Sequence, residues 1–173
     1  IKDLIENSID AGADDITVEI QHGGITYIRI TDNGCGIARE DVPTAFLRHA
    51  TSKIKTGVEL GSIATLGFRG EALAAVSSVS RVEMFTRVKE EDFGTHYKIE
   101  GGEEALNEET GCPTGTTIII RDLFYNTPAR MKFLKKDVSE ANAAAAVADR
   151  IALSHPEIAF KLIRDGKQTL NTA

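Results

Sequence analysis

The sequence predicts an α+β domain in which helices cover a largely antiparallel sheet. Apolar residues recur every three to four positions in the first ten residues, which is the spacing of an amphipathic helix. Two runs of alternating apolar residues follow and are joined by "QHGG", which predicts a β-hairpin. Helices mixed with antiparallel hairpins favour a layered α+β domain over a regular array of βαβ units.

The predicted elements continue along the chain. The first helix covers residues 1–10, and the hairpin uses "DITVEI" and "TYIRIT" as its strands. A helix over about residues 40–48 comes next, followed by residues 51–62, whose Thr, Ser, Lys and Gly content predicts mobility. The pattern "EALAAVSSV" predicts another helix, and a strand, a hairpin and a further strand come after it. An Ala-rich helix over about residues 139–153 and a strand at "AFKLIR" complete the prediction.

Composition favours one folded domain. With 173 residues, 42% of them hydrophobic, the chain can bury roughly 70% of the surface that its unfolded form exposes. It begins at Ile1 without a methionine, in what reads as the middle of a helix, so we expect a domain truncated at its N-terminus. Residues from about 165 to 173 are expected to lead toward a second, absent domain.

Charge and cysteine content narrow the compartment and the partners. A formal net charge of −6 lacks the electrostatic footprint of a protein that binds nucleic acid on its own. Cys35 and Cys112 stand in no metal-ligand spacing and suggest no disulfide framework, which favours a reducing intracellular compartment. No apolar run approaches the roughly 18 residues that a membrane span needs, so we expect no membrane partner.

One face of the first helix carries only oxygen ligands. On a helical wheel, an arc of about 100° opposite the apolar stripe holds Asp3, Glu6, Asn7 and Asp10. Asp3 and Asn7 are four residues apart, so a carboxylate that takes a proton from water and an amide oxygen for a hard cation would point at one spot. The alternative interpretation is an ordinary solvated acidic face.

Three further stretches contain residue types that bind nucleotides. "ITDNGCGI" places Asp32 and two glycines at the end of a buried strand. "TLGFRGEAL" places Gly67 and Gly70 before a helix, where bare backbone N–H groups could receive phosphate oxygens. "RHATSK" brings two hydroxyls and an ammonium into the polar segment, which could close over a polyphosphate. Taken singly, each stretch is also typical of an ordinary turn, helix junction or loop.

The order of these stretches resembles the GHKL ATPases, which include gyrase B subunits, ninety-kilodalton heat-shock chaperones, histidine kinases and MutL-type mismatch-repair proteins. Asp/Glu-x-x-x-Asn on a helix is followed by Asp-x-Gly-x-Gly, by Gly-x-x-Gly before a helix, and by Gly-Thr before a strand. Within this superfamily, "ENSIDAGA", "RHATSKI", "SVSRV" and above all "DLFYNTPARMKFL" look like the MutL family, over residues 1 to about 164. The resemblance implies a two-layer α/β sandwich of the Bergerat type, with a mixed, mostly antiparallel sheet and helices on one face.

The resemblance also implies a role for each matching position. Asp32 would accept a hydrogen bond from the adenine amino group of ATP, while Gly34 and Gly36 leave room for the purine and ribose. Thr116 would support Asp32 directly or through water, and Asn7 would coordinate Mg²⁺. The remaining nucleotide contacts would come from Gly67, Phe68, Arg69, Gly70, Glu71, Ala72 and Leu73 around the triphosphate, with Thr51, Ser52 and Lys53 closing from the lid side.

The residue that would activate the attacking water departs from the family pattern. The family usually carries a glutamate four residues before the Mg²⁺ asparagine, and this sequence has Asp3 there. Misplacing a catalytic group by about 1 Å can cost on the order of 100-fold in rate, so we expect slow hydrolysis or a helix closer to the phosphate. Glu6 is the alternative base, but it is adjacent to Asn7 and points about 100° away from it. We therefore favour Asp3.

The function implied by the resemblance is an ATP-driven conformational switch of DNA mismatch repair. ATP would order the lid, two N-terminal regions would associate as a homodimer, and hydrolysis would release them, coupling a mismatch-recognition protein to strand processing. DNA would bind weakly and not through this acidic chain alone, in a bacterial cytoplasm or a eukaryotic nucleus. We expect weak or absent turnover in this piece. The alternatives are a nucleotide-binding DNA or protein scaffold without hydrolysis, and a topoisomerase- or chaperone-type GHKL ATPase.

Overall fold

An eight-stranded sheet is the framework of the protein, seen in a computed structural model that describes residues 1–24, 26–47, 71–132 and 137–172. The strands are β1 (Asp15–Gln21), β2 (Tyr27–Asp32), β3 (Arg81–Arg87), β4 (Gly94–Glu100), β5 (Glu103–Thr110), β6 (Gly115–Arg121), β7 (Ala159–Arg164) and β8 (Lys167–Asn171). The helices in the described ranges are α1 (Lys2–Asp10), α2 (Val42–Ala45), α3 (71–78), α4 (Pro128–Met131) and α5 (Asp137–Ser154). Short 3₁₀ turns occupy His22–Gly24 and Arg39–Asp41.

The sheet is mixed and mostly antiparallel, as the sequence predicts. Its strand order is β5-β4-β3-β6-β2-β1-β7-β8. Strands β1 and β7 pair in parallel, and the other neighbouring pairs are antiparallel. The predicted hairpin is confirmed, because β1 and β2 pair with Val18 opposite Ile30 and Ile20 opposite Ile28. This arrangement puts β2 and β6 side by side near the middle of the sheet.

The helices cover one face of this sheet. Residues that stand opposite each other in neighbouring strands share a face, and the buried residues of the strands fall on the same one. The helices contribute Leu4 and Ile5 from α1, Leu73 from α3, and alanines of α5 to the core beneath them. The opposite face is polar and includes an ion pair between Glu19 and Arg29 at 2.9 Å. The two-layer arrangement expected from the sequence is therefore confirmed.

The structure differs from the sequence prediction in three places. The helix expected over residues 40–48 is a 3₁₀ turn followed by the four-residue α2, which ends as Phe46 and Leu47 bond back to carbonyls three residues earlier. Strand β8 pairs with β7 at one edge of the sheet, where the sequence prediction placed no element. The short helix α4 was also not predicted. In the parts of the chain that the structure describes, no helix is both long and apolar enough to cross a membrane.

Candidate functional site

A pocket opens on the covered face of the sheet between α1, the loop after β2 and the start of α3. Its floor is formed by β3 and β6. The described residues that line it are Leu4, Asn7, Ser8, Asp10, Ala11, Asp32, Cys35, Gly36, Ile37, Leu73, Met84, Thr116 and Ile118. Most of this lining is apolar, and a few polar side chains converge within it, which is the usual composition of a small-molecule site.

Asp32 lies at the end of β2 and is turned toward the helices. It stands opposite Ile16 in β1 and opposite Thr116 in β6, both on the covered face of the sheet. The hydroxyl of Ser8 donates a hydrogen bond of 2.7 Å to Oδ2 of Asp32, and the backbone N–H of Gly34 donates one of 2.9 Å to Oδ1. The backbone N–H of Thr116 is a third donor to this carboxyl group. These donors fix the carboxyl group at the bottom of the pocket.

Burial and hydrogen bonding shift the pKa of this carboxyl group in opposite directions. Burial raises the pKa of Asp32 above its ordinary value, because the charged form loses its hydration. The hydrogen bonds from Ser8, Gly34 and Thr116 lower the pKa, because they favour the ionised form. Burial is the larger effect. The folded protein thus spends free energy to place a carboxyl group here, which is typical of a functional position.

The loop after β2 is attached to the end of α1 and to the turn that follows it. Oδ1 of Asn33 accepts hydrogen bonds from the backbone N–H groups of Asp14 and Asp15, at 3.0 and 3.1 Å. The side-chain amide of Asn33 donates to Oδ1 of Asp14 at 2.6 Å, and the N–H of Cys35 donates to the carbonyl of Ala11 at 2.9 Å. These hydrogen bonds hold the loop in place, and the loop forms one wall of the pocket.

The glycines of this loop allow the backbone to pack closely. A Cβ atom on Gly34 would lie 2.8 Å from both the Cβ atom and the carbonyl oxygen of Ala11. Gly36 has a φ of +75°, and a Cβ atom there would collide with the carbonyl of Arg87. The resemblance to GHKL ATPases implies that both glycines make room for the purine and ribose of a nucleotide. In the structure they make room first for α1 and β3, and of the two only Gly36 lines the pocket.

Asn7 presents unpaired polar atoms. Its side-chain Oδ1 and Nδ2 are buried, and neither has a hydrogen-bond partner among the described residues. Leaving a buried amide unpaired costs about 1 to 3 kcal/mol per group, so native proteins rarely do so without a ligand or water to satisfy it. An amide oxygen is a suitable ligand for a hard cation, and an amide NH₂ group can donate to a phosphate oxygen. Asn7 therefore fits the metal-binding and phosphate-binding role expected of it.

The acidic side chains of α1 divide between two sides of the helix. Asp10 lines the pocket together with Asn7. Glu6 lines a separate groove against α5, with Arg150 and His155. Asp3 is exposed one turn before Asn7 and is outside the set of lining residues. The described ranges contain no group of three or more His, Cys, Asp or Glu side chains that could hold a metal ion, so Asn7 would share an ion with phosphate oxygens and water.

The predicted phosphate-binding residues are only partly within the described structure. Thr51, Ser52 and Lys53 of the predicted lid, and Gly67, Phe68, Arg69 and Gly70, lie outside the described residues, as does the predicted mobile segment 51–62. At the start of α3, Leu73 is 1% exposed and lines the pocket, Ala72 is half-buried, and Glu71 is exposed. Leu73 therefore contributes an apolar wall to the pocket.

Two hydroxyl groups of the site were missed by the sequence analysis. Ser8 is 4% exposed and lies in the apolar stripe of α1, one turn after Leu4 and Ile5. A serine inside an apolar helical stripe is the signal that could have identified it. Thr86 is fully buried, and its Oγ1 lies 2.8 Å from Oγ1 of Thr116. The alternation in β3 places Thr86 on the covered face, but no local pattern links it to Asp32.

Comparisons with known proteins agree with this geometry. Residues 1–110 match the family described as histidine kinase-, DNA gyrase B-, and HSP90-like ATPase. The DNA mismatch repair protein MutL of Agathobacter rectalis is 53% identical over 173 residues, which are 100% of this chain and 27% of the relative. MutL of Caldanaerobacter subterraneus subsp. tengcongensis is 50% identical over 167 residues, 96% of this chain and 28% of the relative. The chain thus spans about a quarter of the length of these curated relatives.

Solved structures give the same result. The Aquifex aeolicus MutL ATPase domain complexed with ADP superposes with a TM-score of 0.80 and 35% sequence identity, over 98% of this chain and 60% of that one. A second structure of the Aquifex aeolicus domain, with a K252N mutation, has a TM-score of 0.75 and 33% identity, over 95% of this chain and 55% of that one. The resemblance to MutL proteins and the Bergerat-type fold predicted from the motifs are therefore confirmed.

We predict that Asp32→Asn removes a pH dependence from the free energy of unfolding. Because the pKa of Asp32 is raised above 3.8 on folding, the folded state binds more protons than the unfolded state between 3.8 and the raised value. Stability from this group is present below that window and is lost as the pH rises through it. The unfolding free energy of the variant minus that of the parent, from urea denaturation, should increase with pH across the window. A difference that does not change with pH would contradict this assignment.

Proposed function

Because the chain belongs to the family of histidine kinase-, DNA gyrase B- and HSP90-like ATPases, we propose that it binds Mg²⁺-ATP in the pocket around Asp32 and hydrolyses it. The observation that supports this proposal most strongly is the buried carboxyl group of Asp32, held by donors from α1, the following loop and β6. The similarity to MutL proteins extends the proposal to an ATP-driven conformational switch in DNA mismatch repair.

The adenine ring would bind at the floor of the pocket, beside Asp32. Ser8, Gly34 and Thr116 use three of the roughly four lone pairs of the Asp32 carboxylate, so one acceptor position remains for an amino group. Apolar side chains from α1, β3 and β6 would contact the faces of a purine, among them Leu4, Met84 and Ile118. An apolar pocket with an acceptor at its floor suits adenine, whose exocyclic amino group is a donor.

Asn7 would hold the metal ion near the phosphates. Its buried and unpaired amide atoms line the same pocket as Asp32, and the neighbouring carboxylate of Asp10 adds negative charge beside them. When bound, Mg²⁺ supplies positive charge that offsets the charge developing on the phosphoryl oxygens. Asn7 would supply a neutral oxygen ligand that holds the ion beside α1.

Asp3 would accept the proton of the attacking water. It stands one turn before Asn7 on α1, and its carboxylate is exposed at the open end of that helix. Neither Asp3 nor Glu6 lines the pocket, but the two point to different sides of α1. Asp3 lies about two turns before Asp10, which does line the pocket, and therefore on the same side of the helix, whereas Glu6 lines the groove against α5. The division of the helix into two sides supports the preference for Asp3 that the helical wheel suggested.

The remaining contacts and the partners belong to the same proposal. Thr51, Ser52 and Lys53 would close over the triphosphate, and Gly67, Phe68, Arg69, Gly70, Glu71, Ala72 and Leu73 would surround it. The full-length protein would form a homodimer when ATP binds, respond to a mismatch-recognition protein, and contact DNA weakly. Because its curated relatives are bacterial repair proteins, we place its action in the cytoplasm.

Asp32→Asn should weaken binding of Mg²⁺-ATP. The amide would leave the adenine amino group without its charged acceptor, at a cost of about 1 to 3 kcal/mol, which is roughly 5- to 150-fold in the dissociation constant. The measurement is calorimetric titration of the full-length protein. Asp92→Asn, which removes an exposed carboxylate in the turn between β3 and β4, is the matched control and should bind as the parent does. Equal affinity in the Asp32→Asn variant and the parent would refute the assignment.

Substitutions of Asp3 should separate hydrolysis from binding. Asp3→Asn should keep the dissociation constant for Mg²⁺-ATP and lose most of kcat, because the water and not the nucleotide depends on this carboxylate. Asp3→Glu should preserve or raise kcat, because it restores the reach that is usual in the family. Steady-state hydrolysis by the full-length protein is the assay, with Glu6→Gln as the control. If Asp3→Asn hydrolyses ATP at the parental rate while Glu6→Gln does not, Glu6 is the base.

A further inference from the structure

Thr86 lies directly behind the pocket, and its hydroxyl group has three hydrogen-bond partners. The residue is 0% exposed and lies near the end of β3, on the covered face of the sheet. Its Oγ1 lies 2.9 Å from the backbone nitrogen of Ile37, 3.0 Å from the carbonyl oxygen of Gly115 and 2.8 Å from Oγ1 of Thr116. Ile37 and Thr116 both line the pocket, whereas Thr86 does not.

Counting protons fixes the direction of each of these hydrogen bonds. A threonine hydroxyl has one proton to donate and two lone pairs that accept. The N–H of Ile37 can only donate, and the carbonyl of Gly115 can only accept, so the single proton of Thr86 goes to Gly115. The remaining lone pair of Thr86 then accepts the proton of the Thr116 hydroxyl. In this arrangement the donor and both acceptor positions of Thr86 are filled.

The direction of the Thr116 hydroxyl proton follows from this arrangement. Because its proton is directed at Thr86, Thr116 has only lone pairs left for the pocket. Thr116 stands opposite Asp32 in the β2–β6 pair and opposite Thr86 in the β3–β6 pair, so the three side chains form one row on the covered face. The floor of the pocket thus presents two neighbouring acceptors, a carboxylate and a hydroxyl oxygen.

Thr86 also holds the loop that forms the pocket wall. Its hydroxyl accepts a hydrogen bond from the N–H of Ile37, which attaches the loop to β3. Two residues earlier, the N–H of Cys35 donates to the carbonyl of Ala11, which attaches the loop to the end of α1. Loss of this hydroxyl would leave the N–H of Ile37 and the carbonyl of Gly115 without their partner. Because buried polar groups without a partner are destabilising, a rearrangement of the wall would follow.

We propose that Thr86 is a positioning residue that sets the base preference of the pocket by holding the Thr116 hydroxyl as an acceptor. A purine with an amino group at its 6-position presents a donor to this floor, whereas one with a carbonyl oxygen there presents an acceptor to two acceptors. The mismatched purine binds more weakly, because a polar group buried without a partner loses its hydration and gains no hydrogen bond. The inference rests on the proposed nucleotide site and names what determines its selectivity.

The test compares ATP with GTP. Dissociation constants of the two Mg²⁺ salts are measured by calorimetry on the full-length protein, for the parent, Thr86→Val, Thr86→Ser and Thr95→Val. Valine keeps the shape of threonine and removes the hydroxyl, whereas serine keeps the hydroxyl. Thr95 is the matched control because it stands opposite Thr86 in the β3–β4 pair and is also buried, at 1% exposed, but β3 separates it from Thr116 in β6.

Thr86→Val should lower the ratio of ATP to GTP affinity by about tenfold, because the freed Thr116 hydroxyl can rotate and donate to a carbonyl oxygen. Thr86→Ser and Thr95→Val should keep the parental ratio. A parental ratio in Thr86→Val, even with weaker binding of both nucleotides or lower stability, would overturn the inference and leave the proposed function intact. A parent that binds neither nucleotide would instead overturn the proposed function.

A second measurement applies even if the valine variant does not fold. Hydrogen exchange of the Ile37 amide is followed in the parent and in Thr86→Ser, without nucleotide. Protection of this amide in both proteins supports the hydrogen bond to residue 86, because a loop amide without a partner exchanges quickly. Exchange at the rate of an exposed loop amide in the parent would overturn the inference.

Discussion

The structure around the candidate site depends on the burial of one carboxyl group. Asp32 ends a central strand on the face that the helices cover, where the loss of hydration disfavours its charge. Donors from Ser8, Gly34 and Thr116 compensate part of this cost. Each donor comes from a different element, so α1, the loop after β2 and strand β6 must meet at one point. The pocket is the space that remains in front of this meeting point.

The fold was largely predictable where local periodicity decides the structure. Helix α1 and the β1–β2 hairpin show clear patterns because apolar side chains alternate or recur on one face. The length of α2 was not predictable, because its ending depends on turns at Phe46 and Leu47 and not on apolar spacing. Strand β8 was missed for a similar reason. Its residues are mostly exposed, and it is defined by pairing with β7 across a sharp turn at Asp165 and Gly166.

The site was predictable only in part, because sequence order identifies motifs and not the contacts between them. Asp32 and Asn7 could be proposed from their motifs, and both line the pocket. The hydrogen-bond partners of Ser8 and Thr86 could not be proposed, because they are 24 residues away from Ser8, and 49 and 30 residues away from Thr86. Local patterns assign these hydroxyls to the core. Only the packing of α1 on the sheet shows that Ser8 supports the carboxyl group, and only the register of β3 and β6 shows that Thr86 supports the hydroxyl at the pocket floor.

The central claim is that Asp32 recognises the amino group of the base, and a double-mutant cycle tests it most directly. The full-length parent and its Asp32→Asn variant are each titrated with ATP and with purine riboside triphosphate, which lacks that amino group. If the two groups contact each other, removing the amino group weakens binding to the parent and has little effect on the variant, with a coupling energy of about 1 to 3 kcal/mol. A coupling energy of zero would show that the carboxylate and the amino group do not interact, and would contradict the account.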